Sequence, residues 1–175
     1  MIHSEQEIIR RESLKKLKAY GIEPFPQALY PVKNYSIELT SNYEEGKEVC
    51  IAGRLIRRKI QGKASFGAIQ DSKGKIQVYF NRDEICSGED KSLYNDVFKK
   101  WLDLGDFLGI KGTVFKTKVG EITILVKEFT LLAKSLKPLP LPKTDKEGKV
   151  HDAFTDPELR YRQRYVDLTV NNEVK

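Results

Sequence analysis

Two β-strands joined by a tight turn are predicted by residues 62–80, GKASFGAIQDSKGKIQVYF. Apolar and polar side chains alternate in each half of this stretch, and the intervening Asp71-Ser72-Lys73-Gly74 is typical of a turn. The aliphatic residues of both halves would fill a core. Phe66 and Gln77 must then point to the opposite face of the sheet, where an aromatic ring and an amide would lie on neighbouring strands.

A third strand is predicted immediately upstream, because period-two alternation begins at Val49. On this pattern one set of residues faces the core and the other faces away from it. The core-facing set is Val49, Ile51, Gly53 and Leu55, and the outward set is Arg54, Ile56 and Arg58. This assignment predicts that two arginines lie on the same face as the aromatic ring and the amide.

Downstream, the pattern predicts an acidic loop over residues 82–92 and a helix over residues 93–102, with Leu93, Val97, Phe98 and Trp101 turned inward. Two further strands are predicted over residues 107–115 and 122–129, joined by a hairpin turn. Three strands, a helix and two strands is the order of the five-stranded OB-fold Greek-key barrel, whose second and third strands form a binding face. The predicted fold class is therefore mainly β.

Helical structure is also predicted before the barrel. Ser4-Glu5-Gln6-Glu7 fits a capping box, and the helix that follows would end near Gly21 and Pro24. The proline-rich residues 22–46 are typical of an extended connector. We therefore expect three parts: a helix and connector over residues 1–46, the OB-fold domain over 47–135, and a linker over 136–175.

Positive charge is concentrated in the segments predicted as strands. The net charge is +6 and the pI about 9.2, but residues 47–81 alone carry 8 Lys and Arg against 2 Asp and Glu, and residues 107–137 carry 6 against 2. A cationic sheet is the electrostatic footprint of a phosphate-bearing partner. The alternative is a lysine-rich sheet edge that only prevents aggregation.

Several classes of function are not supported by the sequence. Cys50 and Cys86 have no second Cys or His at metal-ligand spacing, so no metal site is expected. We find no phosphate-binding glycine loop, nucleophile elbow or zinc-protease motif, and we expect no catalytic residue in the chain. The amino terminus lacks a signal-peptide core, and no stretch is long enough to span a membrane, which favours a reducing cytoplasm.

The outward face suits a splayed nucleic-acid base. The Phe66 ring can stack on the base and the Gln77 amide can read its hydrogen-bonding edge, while the cations of residues 54–59, namely Arg54, Arg57, Arg58 and Lys59, can hold phosphates. The residues themselves therefore indicate a reader of single-stranded nucleic acid. A sequence-tolerant single-strand binder and a protein-interaction barrel in which another chain covers Phe66 remain alternatives.

Several short motifs give the chain a family resemblance. In order along the sequence they are Gly62–Phe66, Ile76–Tyr79, Asp103–Asp106, Lys111–Thr113, Phe115–Thr117, Gly120–Glu121, Ser135–Pro140 and Pro157–Leu168. Together they resemble the amino-terminal domain of class II lysyl-tRNA synthetases and its junction with the catalytic domain. The resemblance covers nearly the whole chain.

The resemblance implies roles for individual residues. Phe66 would stack on the central anticodon base, a uridine, and Gln77 would read the edge of that base. Arg58 and Lys59 match the anticodon-contacting arginines of the first strand, and Glu121 matches the glutamate that reads a flanking base. Lysine replaces the family arginine at position 59, which keeps the charge but loses the planar, bidentate fork of a guanidinium.

The resemblance also implies a longer enzyme, a cytoplasmic homodimer that uses ATP and Mg²⁺ to attach lysine to tRNA(Lys). The motifs for ATP, magnesium and lysine would lie beyond this chain, which we expect to bind the anticodon loop without cofactors and not to aminoacylate by itself. Aspartate and asparagine synthetases share the barrel and the Phe–Gln pair. The lysine assignment therefore depends on the motifs at 62–66 and 157–168.

Overall fold

The computed structural model describes residues 3–140, 143–144, 150–151, 154–171 and 174. It divides into two compact units, residues 1–137 and 138–175. The helices of the first unit are α1 (Glu5–Ala19), α2 (Ser36–Ser41), α3 (Arg82–Ile85) and α4 (Leu93–Trp101), and its strands are β1 (Glu48–Gln61), β2 (Ala64–Gln70), β3 (Lys75–Asn81), β4 (Phe107–Lys116) and β5 (Ile122–Ala133).

The five strands form a closed barrel in the order β1-β2-β3-β5-β4. All neighbouring strands are antiparallel except β3 and β5, which pair in parallel, and β4 closes the ring by pairing with β1. The predicted mainly β, five-stranded OB-fold barrel is confirmed, with a helix before it and a helix between its third and fourth strands.

The barrel core contains the aliphatic side chains that period-two alternation turned inward. In β2 and β3 every second residue is buried, and Ile69, Val78 and Phe80 are fully enclosed. Leu55 from β1 and Ile124 from β5 meet them in the same apolar cluster. Because these residues fill the interior, Phe66 lies on the outer face and is partly exposed, as the alternation predicts.

Helix α4 adds aromatic side chains to this core. The Phe98 ring stacks on Phe80 with centroids 4.1 Å apart, and the fully buried Tyr94 hydroxyl hydrogen bonds to Ser65 at 2.7 Å. The helix is π-helical, and the Leu102 N–H donates to the Val97 carbonyl five residues earlier. The buried residues of α4 are accordingly Tyr94, Val97 and Phe98.

The inward positions predicted for α4 were therefore only partly correct. Val97 and Phe98 are buried, but Leu93 and Trp101 are only partly buried, and sequence reasoning missed Tyr94. The prediction assumed 3.6 residues per turn, whereas a π-helix is wider. Trp101 instead contacts Tyr20, just after α1, with ring centroids 5.7 Å apart.

Helix α1 and the connector precede the barrel, and the connector contacts it through specific residues. Helix α1 begins at the predicted Ser4 capping box, which is confirmed. The connector over residues 22–46 is not wholly extended, because α2 forms within it; the Ser36 N–H and hydroxyl both donate to the Asp71 carboxylate. The Tyr30 ring lies over Gly109, where an added Cβ would come within 2.4 Å of it, so only glycine fits there.

The second unit contains β6 (Lys143–Thr144), β7 (Val150–His151), α5 (Pro157–Arg162) and α6 (Arg164–Val170). The Asp156 side chain caps α5 by accepting from the Leu159 N–H. Arg160 and Arg164 donate to the buried Asp167 carboxylate of α6. The charge-assisted hydrogen bond from Arg160 connects the two helices of the motif at residues 157–168, and the bond from Arg164 lies within α6.

Candidate nucleic-acid interface

An open pocket of about 390 Å³ lies on the outer face of β1, β2 and β3 and beside the turn between β4 and β5. Its lining includes Phe66, Gln77, Lys59 and Glu121. All four were named from the sequence, and the structure brings them together. Strand alternation turns Phe66 and Gln77 outward, while the β4–β5 turn carries Glu121 to the rim.

The Phe66 ring is supported from one side. Tyr79, its register partner on β3, lies with its ring centroid 4.9 Å from that of Phe66 at an interplanar angle of 48°. Phe115 in turn contacts Tyr79 edge-on with centroids 6.1 Å apart. Sequence reasoning did not assign a role to Tyr79 or Phe115. The three rings form an aromatic row that restrains Phe66 while leaving it partly exposed.

The Gln77 amide is also held in place. Its Nε2 donates to the Thr123 hydroxyl at 2.9 Å, and that hydroxyl donates to the Glu121 carbonyl oxygen at 3.3 Å. The turn that carries Glu121 is closed by two further hydrogen bonds, one from the Thr117 N–H to the Glu121 carbonyl and one from the Glu121 N–H to the Thr117 hydroxyl. The amide and the turn therefore belong to one hydrogen-bonded unit.

The predicted placement of Arg58 beside Phe66 is wrong. A β-bulge between Leu55 and Arg57 shifts the register, so Arg58 pairs with Gly67 while Lys59 pairs with Phe66. The extra residue of a bulge reverses the faces that strict alternation would assign. The Arg58 guanidinium instead donates to the Phe98 and Leu102 carbonyls, at 2.6 and 2.7 Å.

Arg54 also lies away from the pocket. Its guanidinium donates to the Gly105 carbonyl at 2.9 Å and lies 4.3 Å from the centroid of the Phe107 ring. Burial lowers the pKa of the Arg54 guanidinium from its usual value, and burial likewise lowers that of Arg58, although nearby carboxylates oppose the shift. These two arginines are occupied by the fold, and the structure does not bring them to Phe66.

The same bulge exposes Arg57, which the sequence placed in the cationic run 54–59 but not on the outward face. Arg57 lines the pocket two positions before Lys59, and both side chains are exposed. Neither cation has a hydrogen bond or ion pair to another residue in the described part of the chain. Adjacent side chains in a strand point to opposite faces, so one of the two arginines at 57 and 58 is expected to face outward. Strict alternation assigned Arg58 to that face, whereas the structure places Arg57 there. With Lys75 the pocket carries three cations against the carboxylate of Glu121.

A buried polar cluster forms around Lys134, whose residues do not line the pocket. Lys134 is fully buried between Asp103 and Asp106, and Asp106 also accepts from the Asp103 and Ser135 N–H groups. Burial raises the pKa of the Asp106 carboxyl, and the Lys134 ammonium opposes that shift. The two aspartates flank the turn between α4 and β4. Their ion pairs with Lys134 tie that turn to the end of β5.

Within the described ranges, no group of three or more His, Cys, Asp and Glu side chains is arranged to hold a metal ion. The same part of the chain contains no helix long and apolar enough to cross a membrane. Cys50 and Cys86 are both buried and free, and Cys86 belongs to the apolar core.

Comparison with known proteins agrees with the fold and the character of the pocket. Residues 49–132, which include most of the barrel, match the family described as the OB-fold nucleic acid binding domain. The barrel therefore belongs to that family. The sequence match and the closed five-stranded ring agree on an OB fold for this part of the chain.

Relatives extend the likeness beyond the barrel. The chain is 64% identical over 172 residues to a lysine–tRNA ligase of Christiangramia forsetii, a match that covers 98% of this chain and 30% of that protein. It is 53% identical to one from Porphyromonas gingivalis and 47% identical to one from a Thermoanaerobacter species. Over nearly its whole length the chain is homologous to lysine–tRNA ligases, which confirms the resemblance seen in the motifs. It spans about 30% of the length of these relatives.

Proposed function

We propose that the barrel is the anticodon-recognition module of a lysine–tRNA ligase and that it reads the central uridine of the anticodon of tRNA(Lys). The observation that carries the proposal is the shared pocket, in which the Phe66 ring and the Gln77 amide lie beside two unpaired cations. The names of the relatives support lysine over the aspartate and asparagine alternatives.

Each pocket residue has a role that its chemistry allows. The Phe66 ring, braced by Tyr79, stacks on the extruded central base. Gln77 forms hydrogen bonds with the Watson–Crick edge of that base. Lys59 and Arg57 neutralise the adjoining phosphates, and Glu121 accepts from a flanking base. Arg57 thus supplies the planar guanidinium that position 59 lacks, while Arg54 and Arg58 stabilise the fold.

The activity of the whole enzyme follows from the same proposal. Lysine attachment would use ATP and Mg²⁺ held by a catalytic domain, in a cytoplasmic homodimer, and this chain would supply only RNA recognition. The chain by itself is expected to bind the anticodon stem-loop and not to aminoacylate it. A stem-loop of the anticodon arm is therefore the appropriate ligand for the test.

The test measures binding of the full 175-residue chain to a fluorescent anticodon stem-loop with the sequence UUU, and to the same loop with a central cytosine. We expect tighter binding to UUU. Phe66→Ala should weaken that binding by about 1–3 kcal/mol, the usual loss for one stacked base. Phe25→Ala is the matched control, because Phe25 is also an exposed phenylalanine, 46% accessible, but lies outside the pocket.

Two results would contradict the proposal. Equal affinity of the chain for the two loops would indicate a sequence-tolerant single-strand binder. An RNA-independent dimer in which Phe66 is protected from solvent would indicate a protein-interaction barrel.

A further inference from the structure

The Gln77 amide has a hydrogen-bonding partner within the protein, and that partner is Thr123. The two residues are register neighbours on the parallel strands β3 and β5. Thr123 is fully buried, whereas Gln77 is partly exposed and lines the pocket. The Thr123 hydroxyl therefore contacts the amide from the protein side and leaves the pocket side of the amide for a ligand.

The Thr123 hydroxyl has a single proton, and its second partner determines where that proton lies. The Glu121 carbonyl oxygen can only accept a hydrogen bond, and the hydroxyl lies 3.3 Å from it. Because the proton is donated to that carbonyl, the hydroxyl oxygen faces Gln77 as an acceptor. The amide must then turn its N–H group toward Thr123, as the 2.9 Å contact from Nε2 requires.

This chain of hydrogen bonds fixes which amide atoms a ligand meets. Gln77 presents its carbonyl oxygen as an acceptor and its second N–H as a donor. The Watson–Crick edge of uracil has an N3–H donor beside carbonyl acceptors, so it can pair with both groups. The edge of cytosine has an N3 acceptor beside an amino donor, the reverse order. A cytosine in the same position would fit only if the amide turned over, and the Thr123 hydroxyl would then have to donate to Gln77 instead of the Glu121 carbonyl.

We propose that Thr123 is a specificity-determining positioning residue, which orients the Gln77 amide through the Glu121 carbonyl so that the pocket selects uracil over cytosine. This inference rests on the proposed function, since it specifies how the same pocket discriminates between bases. It requires no contact between Thr123 and the RNA.

The experiment compares anticodon stem-loops with a central uracil or cytosine, bound to the full chain and to variants of Thr123. Thr123→Val keeps the shape of the side chain and removes the hydroxyl, so the amide can turn over. The ratio of uracil to cytosine affinity should fall by about two- to tenfold, the range for one neutral hydrogen bond. Thr123→Ser retains the hydroxyl and should restore the wild-type ratio.

Repeating the experiment in a Gln77→Leu variant distinguishes a role of Thr123 in orienting the amide from a role in supporting the fold. In Gln77→Leu there is no amide to orient, so adding Thr123→Val should leave the uracil-to-cytosine ratio unchanged. Thermal unfolding of each variant identifies any that are not folded at the temperature of the binding assay, and Thr123→Ala replaces Thr123→Val if the valine variant is one of them.

The possible results are distinguishable. A wild-type chain that does not discriminate between the loops would overturn the proposed function and this inference together. A wild-type chain that discriminates, with Thr123→Val keeping the same ratio, would overturn this inference alone. An equal loss of affinity for both loops would also overturn it, because that is the signature of a purely structural threonine. A reduced ratio that Thr123→Ser restores, and that is absent in the Gln77→Leu background, would support it.

Discussion

The cations of β1 divide into two pairs in opposite situations. Arg54 and Arg58 point their guanidinium groups at backbone carbonyls, at Gly105 for the first and in α4 and just beyond it for the second. Arg57 and Lys59 are exposed at the pocket and have no partner among the described residues. Adjacent cations on one strand therefore differ in role, because a single bulged residue decides which of them faces the open surface.

Buried and exposed charges of this protein interact with their surroundings in two different ways. Around Lys134 the charges are buried, and each needs its partner to compensate for lost hydration. At the pocket the charges remain hydrated and can exchange water for phosphate at little cost. Substitutions in the first region should change the stability of the fold, and substitutions in the second should change binding of RNA.

The largest effect is expected at Lys134. Lys134→Met leaves the buried Asp106 carboxylate without its counterion, so the free energy of unfolding in urea should fall by about 3–5 kcal/mol. Lys111→Met is the matched control, because the Lys111–Glu128 pair is exposed and should cost less than about 1 kcal/mol. A loss at position 134 no larger than the loss at 111 would show that the buried cluster does not stabilise the fold.

A smaller effect on stability is expected at Arg58, whose guanidinium satisfies two carbonyls at the end of α4. Arg58→Met should lower the free energy of unfolding by about 1.5–3 kcal/mol, the range for a hydrogen bond to a charged group. The neighbouring change Arg57→Met should stay within about 0.5 kcal/mol of the wild type. A larger loss of stability for Arg57→Met than for Arg58→Met would contradict this placement, because it would indicate that Arg58 and not Arg57 faces the pocket.

The smallest effect concerns salt. If Arg57 and Lys59 each contact one phosphate, Arg57→Gln and Lys59→Gln should each reduce the slope of log affinity against log salt concentration by about 0.7, the value per phosphate for a single strand. Titrations of an anticodon stem-loop at salt concentrations from about 50 to about 300 mM would measure the slope, because affinity for phosphates changes strongly over this range. Lys111→Gln, outside the pocket, should leave the slope unaltered. An unaltered slope in both pocket variants would mean that these cations do not touch the backbone of the RNA.

Much of this architecture follows from local sequence pattern. The alternation in residues 64–81 correctly predicted which residues of β2 and β3 fill the barrel, because a strand has a side-chain period of two wherever it stays regular. The capping box at Ser4 and the turns between strands were recognisable for the same reason, since each depends on a few neighbouring residues. Alternation therefore assigned Phe66 and Gln77 to one face of the sheet, whereas Glu121 was assigned through the family resemblance.

The errors have a common physical origin. The bulge near Ile56 and the π-helical turn of α4 both change a local period, and neither leaves a distinct signal in the amino-acid sequence. For this reason Arg57 was left off the outward face and Arg58 was wrongly placed on it. Thr123 was overlooked because its significance depends on a contact between β3 and β5, which are 46 residues apart at the Gln77–Thr123 hydrogen bond.

The amino-acid sequence by itself determined the barrel, the outward aromatic and amide pair, and the family likeness, because hydrophobic alternation and turn chemistry act over short distances along the chain. Only the tertiary structure decided which cations face the pocket and which hydrogen bond orients the amide. These properties depend on one inserted residue and on the pairing of distant strands, and both are set by packing of the closed barrel.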